Sequence, residues 1–281
     1  MKKKLLFALL LCGSILTISA QRVRKLLIYH TNDVHSRIEP YAESFADEDL
    51  AGKGGLKRRA YFIAKEREQN ADLLLFDSGD FSQGTPYYNL FQGEVEVKAM
   101  NEMCYDAGTI GNHEFDFGLE NMARLFRLAK FPIVCANYDV TGTVLEGLVK
   151  PYTIIKRKKL RIGVFGLSPV LDGLVSKNNY GEVKFQDPIV RAKEVSEYLK
   201  KKEKCDVVIC LSHLGWKGGE YNDVKLIQST EYIDLVLGGH SHSFFDKLQF
   251  YNNAAGKPVG VQQMGKSGAY VGRVSLELKK R

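Results

Sequence analysis

Five short apolar runs in this sequence each end in a residue that can bind a metal ion or transfer a proton. The residues at these ends are Asp33 with His35, Asp80, Asn112 with His113, His213, and His240 with His242. Ligands of α/β proteins gather outside the carboxyl ends of the strands, so residues far apart in the chain can converge there. A single ending of this kind carries little weight, but five of them predict one shared pocket at the edge of an α/β sheet.

The use of histidine supports this prediction. Five of the six histidines in the chain belong to these endings, and only His30 does not. Histidines with a purely structural role would instead be scattered over surface helices. We expect His30 to pack or to form a hydrogen bond near the site rather than to bind a metal.

The segment from Gly111 to Asp116 is the densest cluster of polar side chains at such an ending. Asn112 offers a neutral carbonyl oxygen, and His113 offers a nitrogen whose ordinary pKa lies near neutrality. Asp116 follows His113 by three residues, so the two side chains meet if the chain turns helically here. The carboxylate would then orient the imidazole and favour its protonated form. Taken alone, the segment is equally compatible with a polar turn in which Asn112 caps the next helix.

The chemistry of the donor set indicates which metals it would bind. Asp33 and His35 would share one side of an extended segment, and Gly79 permits a tight turn that presents Asp80. Nitrogen and oxygen donors without thiolate favour Mn, Fe, Co or Zn, and so many imidazoles argue against Ca or Mg. The donors exceed those of a closed zinc site, so two ions about 4 Å apart that share a bridging carboxylate would accommodate them.

Hydrophobic periodicity predicts alternating strands and helices in one domain, without a linker or a repeat. The expected strands cover 25–30, 72–76, 107–110, 133–135, 152–156, 160–167, 206–211, 233–237, 258–263 and 270–278. The expected helices cover 56–70, 94–104 and 118–130, and a further helix begins at Asp187 and Pro188 by cap and first-turn rules.

The N-terminus has the pattern of a secretory signal peptide. Three lysines follow Met1, an apolar run extends to Ile18, and small residues precede the expected cleavage point. We therefore expect a signal peptide at 1–20, a folded domain at 21–281, and an exported protein that is periplasmic or secreted. An uncleaved anchor helix is one alternative. Lipidation of Cys12 is another, which the bulky residue before it disfavours.

The net charge indicates which partners to expect, and the cysteines indicate whether thiolate metal sites or disulfides are expected. Removal of 1–20 lowers the formal net charge from +7 to +4; this mild basicity suits an anionic substrate, although a solvated surface is the simpler explanation. The basic run from Lys156 to Lys159 indicates a hairpin turn, so we expect no nucleic acid as a partner and no membrane after signal cleavage. The four remaining cysteines lack the spacing of a thiolate metal site, and we expect buried free thiols, with a Cys104–Cys135 disulfide as the alternative.

Five motifs follow one another along the chain: Asp33-x-His35, Gly79-Asp80, Gly111-Asn112-His113-Glu114, Ser212-His213 and Gly239-His240-Ser241-His242. Together they are highly specific, and the set resembles the calcineurin-like metallophosphoesterases over nearly all of residues 25–281. Three longer segments are similar to the 5′-nucleotidase branch of that family: His30-Thr31-Asn32-Asp33, Gln83-Gly84-Thr85 and Gly111 to Asp116.

This resemblance implies a four-layer αββα sandwich of two mixed sheets, with a dinuclear metal site at the carboxyl ends of the strands. It implies that two divalent transition-metal ions (Mn, Zn, Fe or Co) are held by Asp33, His35 and His242, by Asn112, His213 and His240, and by Asp80 as the bridge. It also implies that His113 stabilises the transferring phosphoryl group or its leaving oxygen, and that Asp116 orients His113.

The function that the resemblance implies is metal-dependent hydrolysis of phosphate monoesters, with 5′-nucleotides expected first, by in-line attack of a metal-bound hydroxide. The alternatives are a 2′,3′-cyclic nucleotide phosphodiesterase, a UDP-sugar or sulfur-ester hydrolase, and a metal-loaded binding subunit. Exported members of this branch usually continue into a C-terminal nucleotide-specificity domain, which we expect to be absent from this protein. We therefore expect either a separate chain that carries that domain, or action on simpler phosphate esters.

Overall fold

The computed structural model describes residues 23–279, so the expected signal peptide lies outside the described part of the chain. Its strands are β1 (Val23–Thr31), β2 (Leu74–Asp77), β3 (Ala107–Gly108), β4 (Ile133–Val134), β5 (Tyr138–Asp139), β6 (Val149–Lys150), β7 (Tyr152–Arg157), β8 (Leu160–Leu167), β9 (Lys184–Phe185), β10 (Val207–Ser212), β11 (Leu235–Gly238), β12 (Gln249–Asn252), β13 (Pro258–Gln262) and β14 (Gly272–Lys279). Its helices are α1 (Leu56–Gln69), α2 (Pro86–Phe91), α3 (Glu94–Glu102), a 3-10 helix (His113–Phe115), α4 (Gly118–Leu128), α5 (Lys177–Tyr180), α6 (Pro188–Lys201) and α7 (Asp223–Ser229).

Most of the strands belong to two six-stranded sheets, and β5 pairs with β9 in a small third sheet. The first sheet has the order β14-β1-β2-β3-β4-β6, in which β14 is antiparallel to β1 and the other neighbours are parallel. The second has the order β12-β13-β11-β10-β8-β7, with antiparallel pairs at both edges and parallel pairs between them. Both sheets are therefore mixed, as predicted.

Three apolar clusters define four layers. Between the sheets, Leu26 and Phe76 of the first sheet pack in one cluster with Ile162 and Leu211 of the second. Helices α1, α3 and α4 cover the outer face of the first sheet, and α6 and α7 cover that of the second. The predicted αββα sandwich is therefore confirmed. The central strands β2, β10 and β11 are buried along their whole length, which explains why their sequences are apolar up to the last residue.

The two sheets approach backbone to backbone where β8 passes β4. A Cβ atom at Gly166 would lie 2.0 Å from the Val134 carbonyl oxygen and 2.1 Å from Thr109 Oγ1. The Ala136 amide donates to the Gly166 carbonyl oxygen at 2.8 Å. This contact lies near the carboxyl ends of β4 and β8, so it brings the site-bearing ends of both sheets to one edge of the sandwich.

The predicted elements are present, with ends that differ by at most two residues. The cap of α6 is confirmed, because Asp187 Oδ1 accepts from the amides of Ile189 at 2.7 Å and Val190 at 3.0 Å. The sequence analysis missed α2, α5, α7 and the strands β5, β6, β9 and β12. Each of these is seven residues long or shorter, which is too short for a periodic pattern to emerge.

The cysteines differ from prediction at one position. Cys135, Cys205 and Cys210 are buried with free thiols, but Cys104 is exposed and also free. It lies in the turn just after α3, where the helix has ended and the chain faces solvent. Among residues 23–279, no helix is both long and apolar enough to cross a bilayer.

Candidate metal centre

The loops that leave β1, β2, β3, β10 and β11 bring the five sequence endings together. Three groups of metal-competent side chains each have ligand atoms within 4.8 Å of one another. These groups are Asp33 with His35 and His242, His35 with Asp80 and His113, and Asp80 with His213 and His240. Because His35 and Asp80 each belong to two groups, the three groups form one continuous cluster.

Asp33 anchors one side of the cluster and is fully buried. Asn32 Nδ2 donates to its Oδ2 at 2.7 Å, and the His240 amide lies 3.1 Å from Oδ1 and 3.0 Å from Oδ2. Asp33 Oδ1 lies 3.4 Å from His242 Nε2 and 3.9 Å from His35 Nε2. The two Nε2 atoms are 3.0 Å apart, so one carboxylate and two imidazoles point to the same position.

Asp80 occupies the centre of the cluster. Its Oδ1 accepts from the His113 amide at 2.9 Å, and its Oδ2 lies 3.0 Å from His213 Nε2. His213 Nδ1 lies 2.7 Å from the Ser78 carbonyl oxygen. In the neutral ring Nδ1 therefore carries the proton, and the Nε2 lone pair faces the cluster, which is the tautomer that a metal ligand requires.

The charges of these groups influence one another. Burial acts to raise the pKa of Asp80, but the adjacent His213 outweighs it and holds that pKa below its ordinary value. Burial acts to lower the pKa of His213, but Asp80 and Asp33 outweigh it and raise that pKa. Burial lowers the pKa of His35, and it lowers the pKa of His240 to about 4. These two rings are therefore neutral near pH 7, which is the form that binds metals.

His113 and Asp116 lie at the rim of the cluster. His113 Nδ1 is 3.0 Å from Asp116 Oδ2, as the spacing of three residues predicts. Burial acts to lower the pKa of His113, but the hydrogen bond with Asp116 and the charge of Asp80 outweigh it, and the pKa is raised. The two side chains are 31% and 36% exposed, so a ligand from solution can reach them.

Asn112 does not cap the following helix, and that alternative is wrong. Its side chain makes no capping hydrogen bond, and its buried Oδ1 has no hydrogen-bond partner. A buried carbonyl oxygen without a partner is destabilising unless another group, such as a cation, satisfies it.

The local reason proposed for Asp33 and His35 is also wrong. Their φ angles are 49° and 48°, so these residues are not extended and the strand period does not bring them together. A left-handed turn does so instead, held by hydrogen bonds from the Asp33 amide to Gly79 O at 2.9 Å and from the His35 amide to Asp80 O at 3.0 Å. The expected turn at Gly79 is confirmed by its φ of 89°. A Cβ atom there would lie 2.7 Å from the Gly111 amide nitrogen.

Glu114 contributes to the site in a way that the sequence analysis missed. It is buried, and it accepts from the amides of Asp80 at 3.0 Å and Gly111 at 2.6 Å, and from Ser82 Oγ at 3.1 Å. Glu114 thereby holds the two turns that carry Asp80 and Asn112. An acidic residue beside the candidate ligands Asn112 and His113 was the available signal, but its inward direction depends on contacts with a distant segment.

His30 packs beside the site, as predicted. It is fully buried, and its Nε2 lies 3.2 Å from Gln262 Oε1. Burial lowers the pKa of His30 to about 4. His30 is therefore neutral near pH 7, and it belongs to none of the three ligand groups.

The donor set fits divalent cations. Carboxylates and imidazoles converge, and the buried Asn112 Oδ1 has no hydrogen-bond partner. Two imidazole nitrogens that face each other, and a buried oxygen without a hydrogen-bond partner, are destabilising unless a cation lies close enough to interact with them. The described groups contain no cysteine, and nitrogen with oxygen donors suits Mn, Zn, Fe or Co.

Comparison with known proteins agrees with this geometry. The model of the calcineurin-like phosphoesterase family matches residues 26–244. The 5′-nucleotidase of Vibrio cholerae is 35% identical, over 79% of this chain and 41% of that protein. The trifunctional nucleotide phosphoesterase protein YfkN of Bacillus subtilis is 32% identical, over 91% of this chain and 20% of that protein.

Solved structures show the same architecture. The Haemophilus influenzae NAD nucleotidase superposes with a TM-score of 0.80 and 28% identity, over 91% of this chain and 53% of that one. The calcineurin-like phosphoesterase YfkN from Bacillus subtilis superposes with a TM-score of 0.77 and 31% identity, over 92% of this chain and 87% of that one.

The chain therefore belongs to the calcineurin-like phosphoesterase family. Members of this family use divalent metal ions. The chain spans less than half the length of these curated relatives, 20% for the Bacillus subtilis protein and 41% for the Vibrio cholerae protein.

Proposed function

We propose that this protein hydrolyses phosphate monoesters, with 5′-nucleotides as the first substrate class, by direct attack of water on phosphorus. Two divalent ions at the centre would lower the pKa of water and offset the negative charge of the phosphoryl oxygens. The observation that carries the proposal is the position of Asp80. A carboxylate oxygen of Asp80 lies within 4.8 Å of a ring nitrogen of His35 in one group and of His213 in another. A single carboxylate can therefore join two ion sites.

The ion-binding residues form two groups around Asp80. Asp33, His35 and His242 would hold the first ion, Asn112, His213 and His240 the second, and Asp80 both. The carboxylates are held in place by the protein itself, because Asp33 accepts from the His240 amide and Asp80 accepts from the His113 amide. Such preorganisation favours tight binding and a fixed geometry.

His113 would act on the phosphoryl group and the leaving oxygen. Its Nδ1 is engaged by Asp116, so Nε2 is the ring nitrogen that can donate to substrate. The raised pKa of His113 favours the protonated form that this role needs. As the bond from water to phosphorus forms, the bond to the leaving oxygen would break and His113 would donate a proton to that oxygen. The proton that the water loses would pass to solvent. No side chain of the protein becomes phosphorylated.

The surroundings of Asp116 support a substrate with a bulky leaving group. An open groove of about 450 Å³, lined by Gln83, Tyr88, Asn89 and Phe117 among others, lies beside Asp116. This volume lies within the range of ordinary small-molecule sites. The names of the similar proteins, a 5′-nucleotidase and a nucleotide phosphoesterase, support nucleotides as the substrate class.

Export and a second chain are further parts of the proposal. The signal pattern at 1–20 supports an exported, periplasmic or secreted protein. The second chain would supply a nucleotide-specificity unit.

Substrate assays of the purified chain test the proposal. With Mn²⁺ added, we expect hydrolysis of an aryl phosphate and of AMP, and slower hydrolysis of 2′,3′-cyclic AMP and of a UDP-sugar. Selective and efficient AMP hydrolysis by the chain alone would exclude the need for a separate specificity chain. If the chain bound two ions but hydrolysed none of these esters, the binding-subunit alternative would replace the enzymatic one.

A further inference from the structure

The loop from 239 to 243, which carries His240 and His242, has an unusual backbone. The φ angles of His240 and His242 are 70° and 53°, in the left-handed region that residues with a side chain rarely adopt. Two such residues in one short loop need contacts elsewhere in the protein to hold them. These contacts decide where the two imidazoles point.

Gln263 supplies three of these contacts. This residue follows the last residue of β13 and is fully buried. Its Nε2 donates to the Gly239 carbonyl oxygen at 2.7 Å. Its Oε1 accepts from Ser241 Oγ at 2.9 Å and from the Ser243 amide. One side-chain amide therefore binds the beginning, the middle and the end of the loop.

The same contacts connect the loop to the rest of the centre. Ser241 Oγ also accepts from the Trp216 amide at 2.9 Å, and Trp216 lies three residues beyond His213. β13 pairs in parallel with β11, and Gln262 lies opposite Leu237. The amide of Gln263 is thus fixed by the sheet, and it links the loops that follow β10 and β11.

The chemistry of these contacts requires a carboxamide. Only a side chain with both a donor and an acceptor can bond Gly239 O and, at the same time, the donors of Ser241 and Ser243. A glutamate would keep the acceptor but face the Gly239 oxygen without a hydrogen. A methionine would keep the length and lose both functions.

We propose that Gln263 is a positioning residue of the metal centre: its side-chain amide holds the loop 239–243 in the conformation that directs His240 and His242 toward the ions. In this role Gln263 would orient two of the ligands and would bind neither an ion nor substrate. The inference rests on the metal centre proposed above, and it concerns the affinity and geometry of ion binding rather than the identity of the substrate.

The test compares Gln263→Met and Gln263→Glu with the wild type in full-length protein. Mn²⁺ affinity and stoichiometry are measured by titration calorimetry, and ligand geometry by the visible absorption spectrum of the Co²⁺ form. We expect Gln263→Met to weaken Mn²⁺ binding by about 10–100-fold, as is typical for residues that orient metal ligands. Gln263→Glu should weaken it less. Both should alter the Co²⁺ spectrum and speed hydrogen exchange at the Ser243 amide.

Asn253→Leu is the matched control. The Asn253 amide has the same pattern of contacts, since it donates to Glu231 O at 2.9 Å and accepts from the amides of Ala255 and Lys257 at 2.9 Å each. It lies in the turn between β12 and β13, which carries none of the candidate ligands. We expect Asn253→Leu to lower the melting temperature and to leave Mn²⁺ affinity and the Co²⁺ spectrum as in the wild type.

The outcomes separate this inference from the proposed function. A wild-type chain that binds no transition metal would overturn the metal centre itself. A wild-type chain that binds two ions, with Gln263→Met equal to it in affinity and spectrum, would overturn the role of Gln263 alone. If Gln263→Met does not fold, Gln263→Glu decides, because it retains the shape; unchanged Mn²⁺ affinity in that variant would also overturn the inference.

Discussion

At the scale of single residues, substitutions of His113 and Asp116 can distinguish a catalytic role from a metal-binding role. His113→Ala should lower kcat for an aryl phosphate by about 10²–10⁴-fold, because it removes the group that is proposed to donate a proton to the leaving oxygen. Asp116→Asn should lower kcat by about 10-fold, because the imidazole loses its charged orienting partner. The metal content of the same samples should stay at the wild-type level. A parallel loss of metal would instead identify His113 as a ligand, which its position beside His35 and Asp80 allows.

Asp77 is a buried carboxylate that links stability to pH. Burial raises the pKa of Asp77 to about 7, even though Thr31 Oγ1 donates to its Oδ2 at 2.6 Å. Its ordinary pKa is 3.8, so between about pH 4 and pH 7 the folded protein keeps a proton that the unfolded chain releases. The contribution of Asp77 to the free energy of unfolding should therefore fall as the pH rises through this window, and stay low above it.

The variant Asp77→Asn isolates this effect in metal-free protein. The free energy of unfolding of Asp77→Asn, relative to wild type, should be higher at pH 8 than at pH 5 by about 1–3 kcal/mol. Urea unfolding in the presence of a chelator measures it, and Asp72→Asn is the control at an exposed carboxylate. Equal differences at the two pH values would show that Asp77 does not hold its proton in the folded state.

At the scale of strands and loops, the contact between β4 and β8 sets the spacing of the two sheets. Gly166→Ala should destabilise the protein by about 3 kcal/mol, because the new methyl group would overlap the Val134 carbonyl oxygen, a backbone atom that cannot rotate away. Chemical denaturation measures this change.

Gly108→Ala in β3 is the control for the Gly166 prediction. A Cβ atom at Gly108 would meet only a ring atom of Phe131 at 3.3 Å and more distant atoms of Asp77. The cost should be about 1 kcal/mol or less, because a side chain can shift. Equal costs at the two glycines would show that the sheets can separate at β8 without loss.

The strand ends of the site were predictable from the sequence, but the conformations of its loops were not. The endings at Asp80 and His213 were predictable because a run of buried strand residues stops at a chemically distinctive side chain. The αββα class was implied by the family resemblance that the motifs carry. The left-handed turn at Asp33 and the inward direction of Glu114 were not predictable, because each is fixed by atoms of another loop, as in the bond from the Asp80 amide to Glu114. Loop conformation therefore depends on tertiary contacts that periodicity does not encode.

At the scale of the whole molecule, the candidate centre draws its ligands from both sheets. Asp33 and Asp80 follow strands of the first sheet, and His213 and His240 follow strands of the second. The cluster therefore forms only when the sheets pack face to face. Ions that bind it should stabilise the entire sandwich, since they bind the folded state and have no comparable site in the unfolded chain.

The size of this stabilisation can be predicted. At a Mn²⁺ concentration of about 100 times Kd, each ion adds about 2.7 kcal/mol, and a protein of this length gains roughly 2–4 °C in Tm for each kcal/mol. Addition of Mn²⁺ to chelated protein should thus raise the Tm by roughly 5–10 °C for each ion bound. Asp80→Asn should lose most of the rise because it removes the shared ligand, whereas His242→Ala should lose about half because it affects one ion site. Equal responses of these two variants would contradict a bridging position for Asp80, since only a residue shared by both ions weakens both.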